Sequence, residues 1–183
     1  MTYGLPTAVE IGGNQYEIRS DFRAILDIFT ALNDAELTSQ ERAFVALLIF
    51  YPDIETIPTD LYGEALKKCY WFINGGQEDD ADKKKPVLMN WEQDYPYIIA
   101  PVNRVLGHDA RSDEYMHWWT FLAAYMEIGD CTFAQIVHIR AQQKKGKPLD
   151  KYDMEWYRDN RKTVDMKTNL SEGELEELKK WGG

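Results

Sequence analysis

The sequence is poor in cysteine, in histidine and in long apolar runs, and each shortage excludes a class of protein. Among 183 residues there are two cysteines, Cys69 and Cys131, and three histidines. A secreted disulfide scaffold of this size would normally carry more cysteines, so we expect a reducing cytoplasm. No stretch reaches the roughly 18 consecutive apolar residues of a transmembrane helix, and the start lacks a signal-peptide pattern. The sequence therefore predicts a protein that is neither exported nor inserted in a bilayer.

Basic side chains are also scarce relative to acidic ones. There are 21 Lys and Arg against 31 Asp and Glu, which gives a net charge of -10 and a pI near 4.8. Such a surface repels phosphate backbones and anionic lipids, so neither nucleic acid nor a membrane is an expected partner. With 44% hydrophobic residues the chain can bury a core, and its length suits one compact domain.

The N-terminal part carries clear signals for a hairpin and three helices. Residues 9–11 and 16–18 alternate apolar and polar side chains around a Gly-Gly-Asn turn, which is typical of a β-hairpin. Helices are expected after Ser20 or Asp21, after the capping pair Thr38 and Glu41, and from residues 58–59 to 73. Residues 44–49 are apolar on nearly every side, so the second helix is predicted to be the most buried one.

Three more helices follow a charged loop at residues 77–86. Residues 91–106 have helical periodicity, but Pro96 and Pro101 lie inside it, which predicts a kinked or late-starting helix. Ser112 is the expected cap of the next helix, which carries an aromatic stripe and ends at Gly129. A shorter helix begins at Thr132. The fold class is therefore mainly α, with about six helices and a small N-terminal β-hairpin.

Charge divides the chain near residue 140. Residues 1–140 hold 11 basic and 22 acidic side chains, whereas residues 141–183 hold 10 and 9. The second part has narrow apolar stripes and a capping pair at Ser171 and Glu174, which indicates short helices that are marginal in isolation. We therefore predict a helical domain at 1–140 and a charged helical extension at 141–183 that packs weakly or docks on a partner.

The histidines give little support for a catalytic or metal site. Glu114 and His117 have the spacing of one half of a carboxylate-bridged di-iron motif, but such sites need that motif twice. Neither His108 nor His138 has a glutamate three residues before it. Cys131 and His138 would form a nucleophile and base only if the fold brought them together. The sequence predicts no enzyme activity, no metal and no cofactor.

Two glycine pairs and two lysine runs have ordinary structural explanations. The pairs at 12–13 and 75–76 lack a Walker lysine and a βαβ context, so they indicate turns. Acidic residues just before them balance the positive charge of the lysines at 83–85. Lys144 and Lys145 have few acidic neighbours, which leaves either a solvated linker or a contact surface.

The run His117-Trp118-Trp119 is the densest aromatic feature. Adjacent residues on a helix point about 100° apart, so both tryptophans cannot enter the same core face and one is expected to be partly exposed. Packing of both at the edge of the core and an interaction surface remain two open interpretations. Candidate partner-binding residues are His117, Trp118, Trp119, Lys144, Lys145, Trp156 and Trp181.

Several short segments, in this order and spacing, resemble a family of tailed-bacteriophage proteins known as gene product fifteen. The family occurs in siphophages and in prophages of Gram-positive bacteria. The matching segments are residues 5–13 (LPTAVEIGG), 16–23 (YEIRSDFR), 71–76 (WFINGG), 92–94 (EQD) with 97–98 (YI), 117–121 (HWWTF) and 133–140 (FAQIVHIR). The segment 51–60, the loop 77–86 and the part after Lys147 resemble the family less.

The resemblance implies a role in tail assembly and no catalysis. Genes of this family lie between those for the tail tube and the tape measure, the position that tail assembly chaperones hold elsewhere. It implies a chaperone in the host cytoplasm that binds the tape-measure protein and helps to recruit tail-tube subunits, with a homo-oligomer as one option. The alternative is a structural tail or connector component that is retained in the virion. The resemblance transfers no catalytic residue.

Overall fold

A computed structural model describes residues 4–77 and 87–167, which form two compact units. The first unit, residues 4–77, contains a two-stranded sheet followed by three α-helices. The second unit, residues 87–167, is entirely helical in regular structure and contains five α-helices. The prediction of a mainly helical fold with an N-terminal β-hairpin is therefore confirmed.

The hairpin consists of β1 (Ala8–Ile11) and β2 (Asn14–Glu17), which pair antiparallel with Ile11 opposite Asn14. The two-residue turn is Gly12–Gly13, with φ angles of 55° and 80° that suit glycine. The Gly12 amide donates to both carboxylate oxygens of Glu64 at 3.3 Å. The hairpin tip is thereby attached to a helix of the same unit.

The first two helices begin at capping residues that the sequence predicted. Helix α1 (Phe22–Leu32) follows Asp21, whose carboxylate accepts from the Arg23 amide at 2.9 Å. Helix α2 (Ser39–Phe50) follows Thr38, and its capping box is complete because Glu41 accepts from the Thr38 amide at 2.8 Å. Hydrogen bonds from Thr38 lower the pKa of the Glu41 carboxyl.

The prediction that α2 is the most buried helix is wrong. It packs against α1 and against α3 (Tyr62–Ile73), and these neighbours bury Ala46, Leu47 and Phe50. Phe44 and Leu48 keep 45% and 43% of their surface exposed. Within residues 4–77, two neighbouring helices leave one side of α2 uncovered, and the sequence places apolar residues there as well.

Two short 3₁₀ turns, Ile54–Thr56 and Thr59–Leu61, lead into α3. The core of this unit includes Phe50, whose ring packs against Tyr51 at 4.8 Å and Phe72 at 5.4 Å between centroids. The Tyr51 hydroxyl donates to the Ala65 carbonyl at 2.8 Å. Cys69 is fully buried, and this burial raises the pKa of its thiol to about 12.

The second unit begins with α4 (Trp91–Leu106), a continuous helix that includes Pro96 and Pro101. Asn90 caps it by accepting from the Gln93 amide at 3.0 Å, so the helix does not start late. Each proline removes one helical amide, because the ring has no N–H to donate to the preceding turn. Gly107 ends the helix with a φ of 77°.

The expected cap at Ser112 is wrong. Residues Ala110–Ser112 form a 3₁₀ turn, in which the Ser112 hydroxyl donates back to the Asp109 carbonyl at 2.7 Å. That hydroxyl is therefore already engaged within the preceding turn. The helix α5 (Trp118–Met126) begins later, and His117 is its cap.

Three helices complete the unit: α6 (Thr132–Lys144), α7 (Lys151–Asp159) and α8 (Arg161–Val164). Ile136, Ile139 and Val164 form a buried cluster, and the partly buried side chains packed against it are those of Tyr97, Leu149, Trp156 and Tyr157. Residues 141–167 of the predicted extension thus belong to the second unit. The remainder of the extension, the capping pair Ser171 and Glu174, and the lysines at 83–85 lie outside the described residues.

Candidate interaction surfaces

The three residues of the run His117-Trp118-Trp119 differ in burial and in their contacts. The His117 ring is buried, and its Nδ1 accepts from the Trp119 amide at 3.0 Å, which caps α5. Trp118 is only 1% exposed and packs against Trp91 and Phe121, with ring centroids 5.7 and 5.9 Å away. Trp119 is partly exposed. The prediction that one of the two tryptophans would be partly exposed is confirmed.

The other predicted contact residues differ in their exposure. Lys144 and Lys145 are exposed at the end of α6. Trp156 is partly buried on α7, where it packs against the cluster of Ile136, Ile139 and Val164. Trp181 lies outside the described residues. The structure therefore leaves Lys144 and Lys145 exposed and both Trp119 and Trp156 partly exposed, while their role in binding stays a prediction.

Arg140 connects four segments of the second unit, which the sequence analysis missed. Its Nη1 and Nη2 donate to the two carboxylate oxygens of Asp94 at 2.6 and 3.0 Å. The same guanidinium donates to the carbonyls of Val164 at 2.6 Å, Thr163 at 3.1 Å and Leu88 at 3.0 Å. Arg140 thus joins α6 to α4, to α8 and to the segment before α4.

Gln93 of α4 holds the segment that follows α8. Its side-chain amide donates to the carbonyls of Thr163 at 3.2 Å and Asp165 at 2.9 Å, and its oxygen accepts from the Lys167 amide at 2.9 Å. The Tyr97 hydroxyl adds a hydrogen bond to the Thr163 hydroxyl at 3.2 Å. Residues 163–167 are therefore anchored to α4 largely through their backbone.

Helix α7 is attached to α6 through one carboxylate. The buried Asp153 accepts from the Gln135 side chain at 2.7 Å and lies 3.0 Å from Nε2 of His138. Asp150 caps α7 by accepting from the Asp153 amide at 2.8 Å. The polar residues 135, 138 and 153 have the sequence pattern of a solvated face, so only the fold reveals that they meet.

The histidines lie in separate surroundings. His108 pairs with Asp113 at 2.9 Å, and this hydrogen bond is the main reason that the His108 pKa is raised. His138 lies two turns after Cys131 along α6 and pairs with Asp153, so helix geometry keeps this cysteine and histidine apart. Glu114 is exposed, and it precedes α5 instead of sharing a helix with His117. Within residues 4–77 and 87–167, no three His, Cys, Asp or Glu side chains gather to hold a metal ion.

A cavity of about 300 Å³ lies between the proline-containing side of α4 and the start of α6. The residues that line it are Pro96, Tyr97, Ala100, Pro101, Arg104, Cys131 and Thr132. Arg104 donates to the Ile128 carbonyl, so its guanidinium is engaged within the unit. The lining contains no carboxylate and no imidazole.

Exposed apolar side chains form a second feature that the sequence analysis missed. Phe44 and Leu48 lie one turn apart on α2, and the Phe44 ring centroid is 6.2 Å from that of Tyr62. Tyr152 and Met154 on α7 are exposed at 69% and 53%. The signal for the α2 pair was available, since a helix that is apolar on all sides must expose part of that surface unless neighbours surround it.

Comparison with known proteins identifies the family of the chain. Among the described residues, no helix has both the length and the apolar character needed to cross a membrane. The described residues form a mainly helical fold with an N-terminal β-hairpin. The chain belongs to the family described as Bacteriophage Gp15 protein, whose family model matches residues 1–166. No curated protein and no solved structure gave a match.

Proposed function

We propose that this protein is a tail assembly chaperone that binds the tape-measure protein and helps to recruit tail-tube subunits. The observation that carries the proposal is membership of the Bacteriophage Gp15 protein family over residues 1–166. The proposal places the protein in the cytoplasm of the bacterial host during phage assembly. It also makes binding of other proteins, and not catalysis, the activity of the chain.

Such a chaperone must cover the apolar surface that a tape-measure helix exposes before assembly. A long tape-measure helix presents apolar seams that associate unless another protein covers them. An acidic protein with exposed apolar side chains can cover such a seam, and its charge keeps the complex dispersed. The net charge of -10 and the exposed side chains of Phe44 and Leu48 are consistent with this role.

The three histidines have hydrogen-bond partners within the described residues. His117 caps a helix, and His108 and His138 each pair with a carboxylate, so each imidazole has a structural partner. The three lie in different surroundings and share none of these partners. A protein that works by contact needs no convergence of acid, base and nucleophile.

Co-expression with the neighbouring tape-measure gene tests the proposal. We expect the tape-measure protein to become soluble and to co-purify with this chain, whereas an unrelated acidic protein of similar size should leave it insoluble. If the tape-measure protein stays insoluble and does not co-purify, the proposal is wrong.

Mass spectrometry of purified virions distinguishes a transient chaperone from a structural tail or connector component. A chaperone that leaves before completion should be nearly absent from finished particles. Stoichiometric copies in the virion would favour the structural component and contradict the chaperone.

A further inference from the structure

The outward side of α2 carries an apolar ridge, defined here by Phe44, Leu48 and the adjacent Tyr62 of α3. Phe44 and Leu48 are four residues apart and therefore lie on the same face of the helix. Their exposed fractions are 45% and 43%, and the Phe44 and Tyr62 ring centroids are 6.2 Å apart. The ridge thus combines apolar side chains from two helices.

Phe44 and Leu48, the ridge residues on α2, are not part of the buried core of the first unit. The buried residues of α2 are Ala46, Leu47 and Phe50. Ala46 and Phe50 point away from Phe44 and Leu48, and Leu47 lies at the edge of the exposed face. Surface positions of a helix in a globular protein are usually polar. An apolar helix face that stays exposed is a candidate surface for protein contact.

Charge identifies the kind of partner. Residues 4–77 hold 11 acidic and 5 basic side chains, a net charge of -6, whereas residues 87–167 hold 12 and 11, a net charge of -1. Three exposed carboxylates, Glu36, Glu41 and Asp60, lie close in sequence to the N-terminal ends of α2 and α3, where Phe44 and Tyr62 meet. Two arginines also lie near the ridge: Arg42 on α2, and Arg19, which donates to the Leu48 carbonyl at 2.9 Å. The ridge therefore lies in the more acidic part of the described chain.

We propose that the ridge binds a basic amphipathic α-helix of a partner protein. The apolar side chains of that helix, spaced by three and four residues, would pack on Phe44, Leu48 and Tyr62. Lysines and arginines beside them would face the carboxylates of the first unit. This inference deepens the proposed function and rests on it, because it names the contact surface and the chemical class of the bound segment.

Two other occupants have the wrong charge for this ridge. A second copy of the ridge would bring two first units of net charge -6 together, which like-charge repulsion opposes. Residues 168–183 of the same chain hold four glutamates and two lysines, so they are acidic as well. A basic helix is the occupant that complements both the apolar and the charged character of this surface.

The test uses the full chain and two synthetic helical peptides of about 18 residues, a length that supports helix formation. One peptide combines leucine and lysine in an amphipathic pattern, and the matched peptide replaces every lysine by glutamate. We expect the lysine peptide to bind in calorimetry and to protect the amides of α2 from hydrogen exchange. Salt should weaken this binding, and the glutamate peptide should not bind.

Variants locate the contact. Leu48→Gln should weaken binding of the lysine peptide about tenfold, because it removes exposed apolar area while glutamine preserves the helix. Met126→Gln is the matched control, since Met126 is 65% exposed on α5 of the other unit, and it should change the affinity less than about twofold. Circular dichroism and thermal unfolding verify that both variants fold, and hydrogen exchange on the unmodified chain locates the peptide without any substitution.

Three outcomes would overturn the inference. They are equal binding of both peptides, an unchanged affinity of Leu48→Gln, and protection confined to residues outside α2 and α3. A chain that sediments as a dimer and becomes a monomer with Leu48→Gln would assign the ridge to a second copy instead. If the tape-measure protein is solubilised while the lysine peptide fails to bind, the ridge assignment fails and the proposed function stands.

Discussion

Asp94 and Arg140 form a two-pronged ion pair inside the second unit. The Nη1–Oδ2 and Nη2–Oδ1 distances are 2.6 and 3.0 Å, and the exposed fractions of the two side chains are 0% and 3%. Removing one partner of such a pair leaves a buried charge without compensation. The pair therefore makes the packing of α4 on α6 depend on two residues that are 46 positions apart in sequence.

Asp94→Ala should lower the free energy of unfolding by about 3–5 kcal/mol, as measured by urea titration. Arg140→Lys should also destabilise, because lysine cannot reproduce the bidentate contact together with the three carbonyl contacts. Arg161→Gln is the control, since its ion pair with Asp165 is exposed, and it should leave the unfolding midpoint nearly unchanged. Equal effects of the buried and the exposed change would contradict this account of the pair.

Gly12→Ala should destabilise the hairpin more than Gly13→Ala. Both glycines have positive φ, which costs an alanine about 1 kcal/mol. A Cβ on Gly12 would also lie 2.7 Å from Cδ1 of Leu61, whereas a Cβ on Gly13 meets nothing within 4 Å. Because Cδ1 is the end of a side chain that can move, the contact adds less than the backbone term, and we expect a total loss of about 1–2 kcal/mol for Gly12→Ala, measured by thermal unfolding. An effect of Gly13→Ala as large as that of Gly12→Ala would show that the contact with Leu61 is unimportant.

Trp118→Ala and Trp119→Ala test the division of the aromatic run into core and surface. Trp118 packs among Trp91 and Phe121, so its truncation should cost about 3–5 kcal/mol of unfolding free energy. Trp119 is partly exposed and its truncation should cost clearly less. Urea titrations of the two variants make the comparison, and the reverse order would contradict the assignment.

His108 should titrate above its ordinary pKa of about 6.5. The hydrogen bond to Asp113 is the largest cause, and the Leu106 carbonyl and nearby carboxylates act in the same direction. Because the folded-state pKa is raised, the stabilisation from this pair is fully present below the unfolded-state value and disappears as the pH rises through the folded-state value. An NMR titration should show the His108 pKa fall in Asp113→Asn, and an unchanged value would exclude the pairing.

The sequence predicted the elements whose causes are local. The Gly12–Gly13 turn, the Asp21 cap and the capping box of Thr38 with Glu41 depend on residues within a few positions of one another. Apolar periodicity located the helices for the same reason. These features form because a short segment already contains both partners of each interaction.

The contacts that hold the second unit together could not be predicted in the same way. Asp94, Arg140 and Asp153 are charged residues, and charged residues are rarely buried without a partner. Their partners lie up to 46 positions away, so the pairings appear only in the folded chain. The exposure of Phe44 and Leu48 was missed for the same reason, since it depends on how many helices pack around α2 in the folded chain.

The attachment of residues 163–167 has a consequence for how this protein tolerates mutation. Gln93 and Arg140 bind main-chain carbonyls of Thr163, Val164 and Asp165, and Gln93 also accepts from the Lys167 amide. Main-chain groups are the same for almost every amino acid. The side chain at 167 can therefore vary without releasing this segment, as long as Gln93 and Arg140 persist.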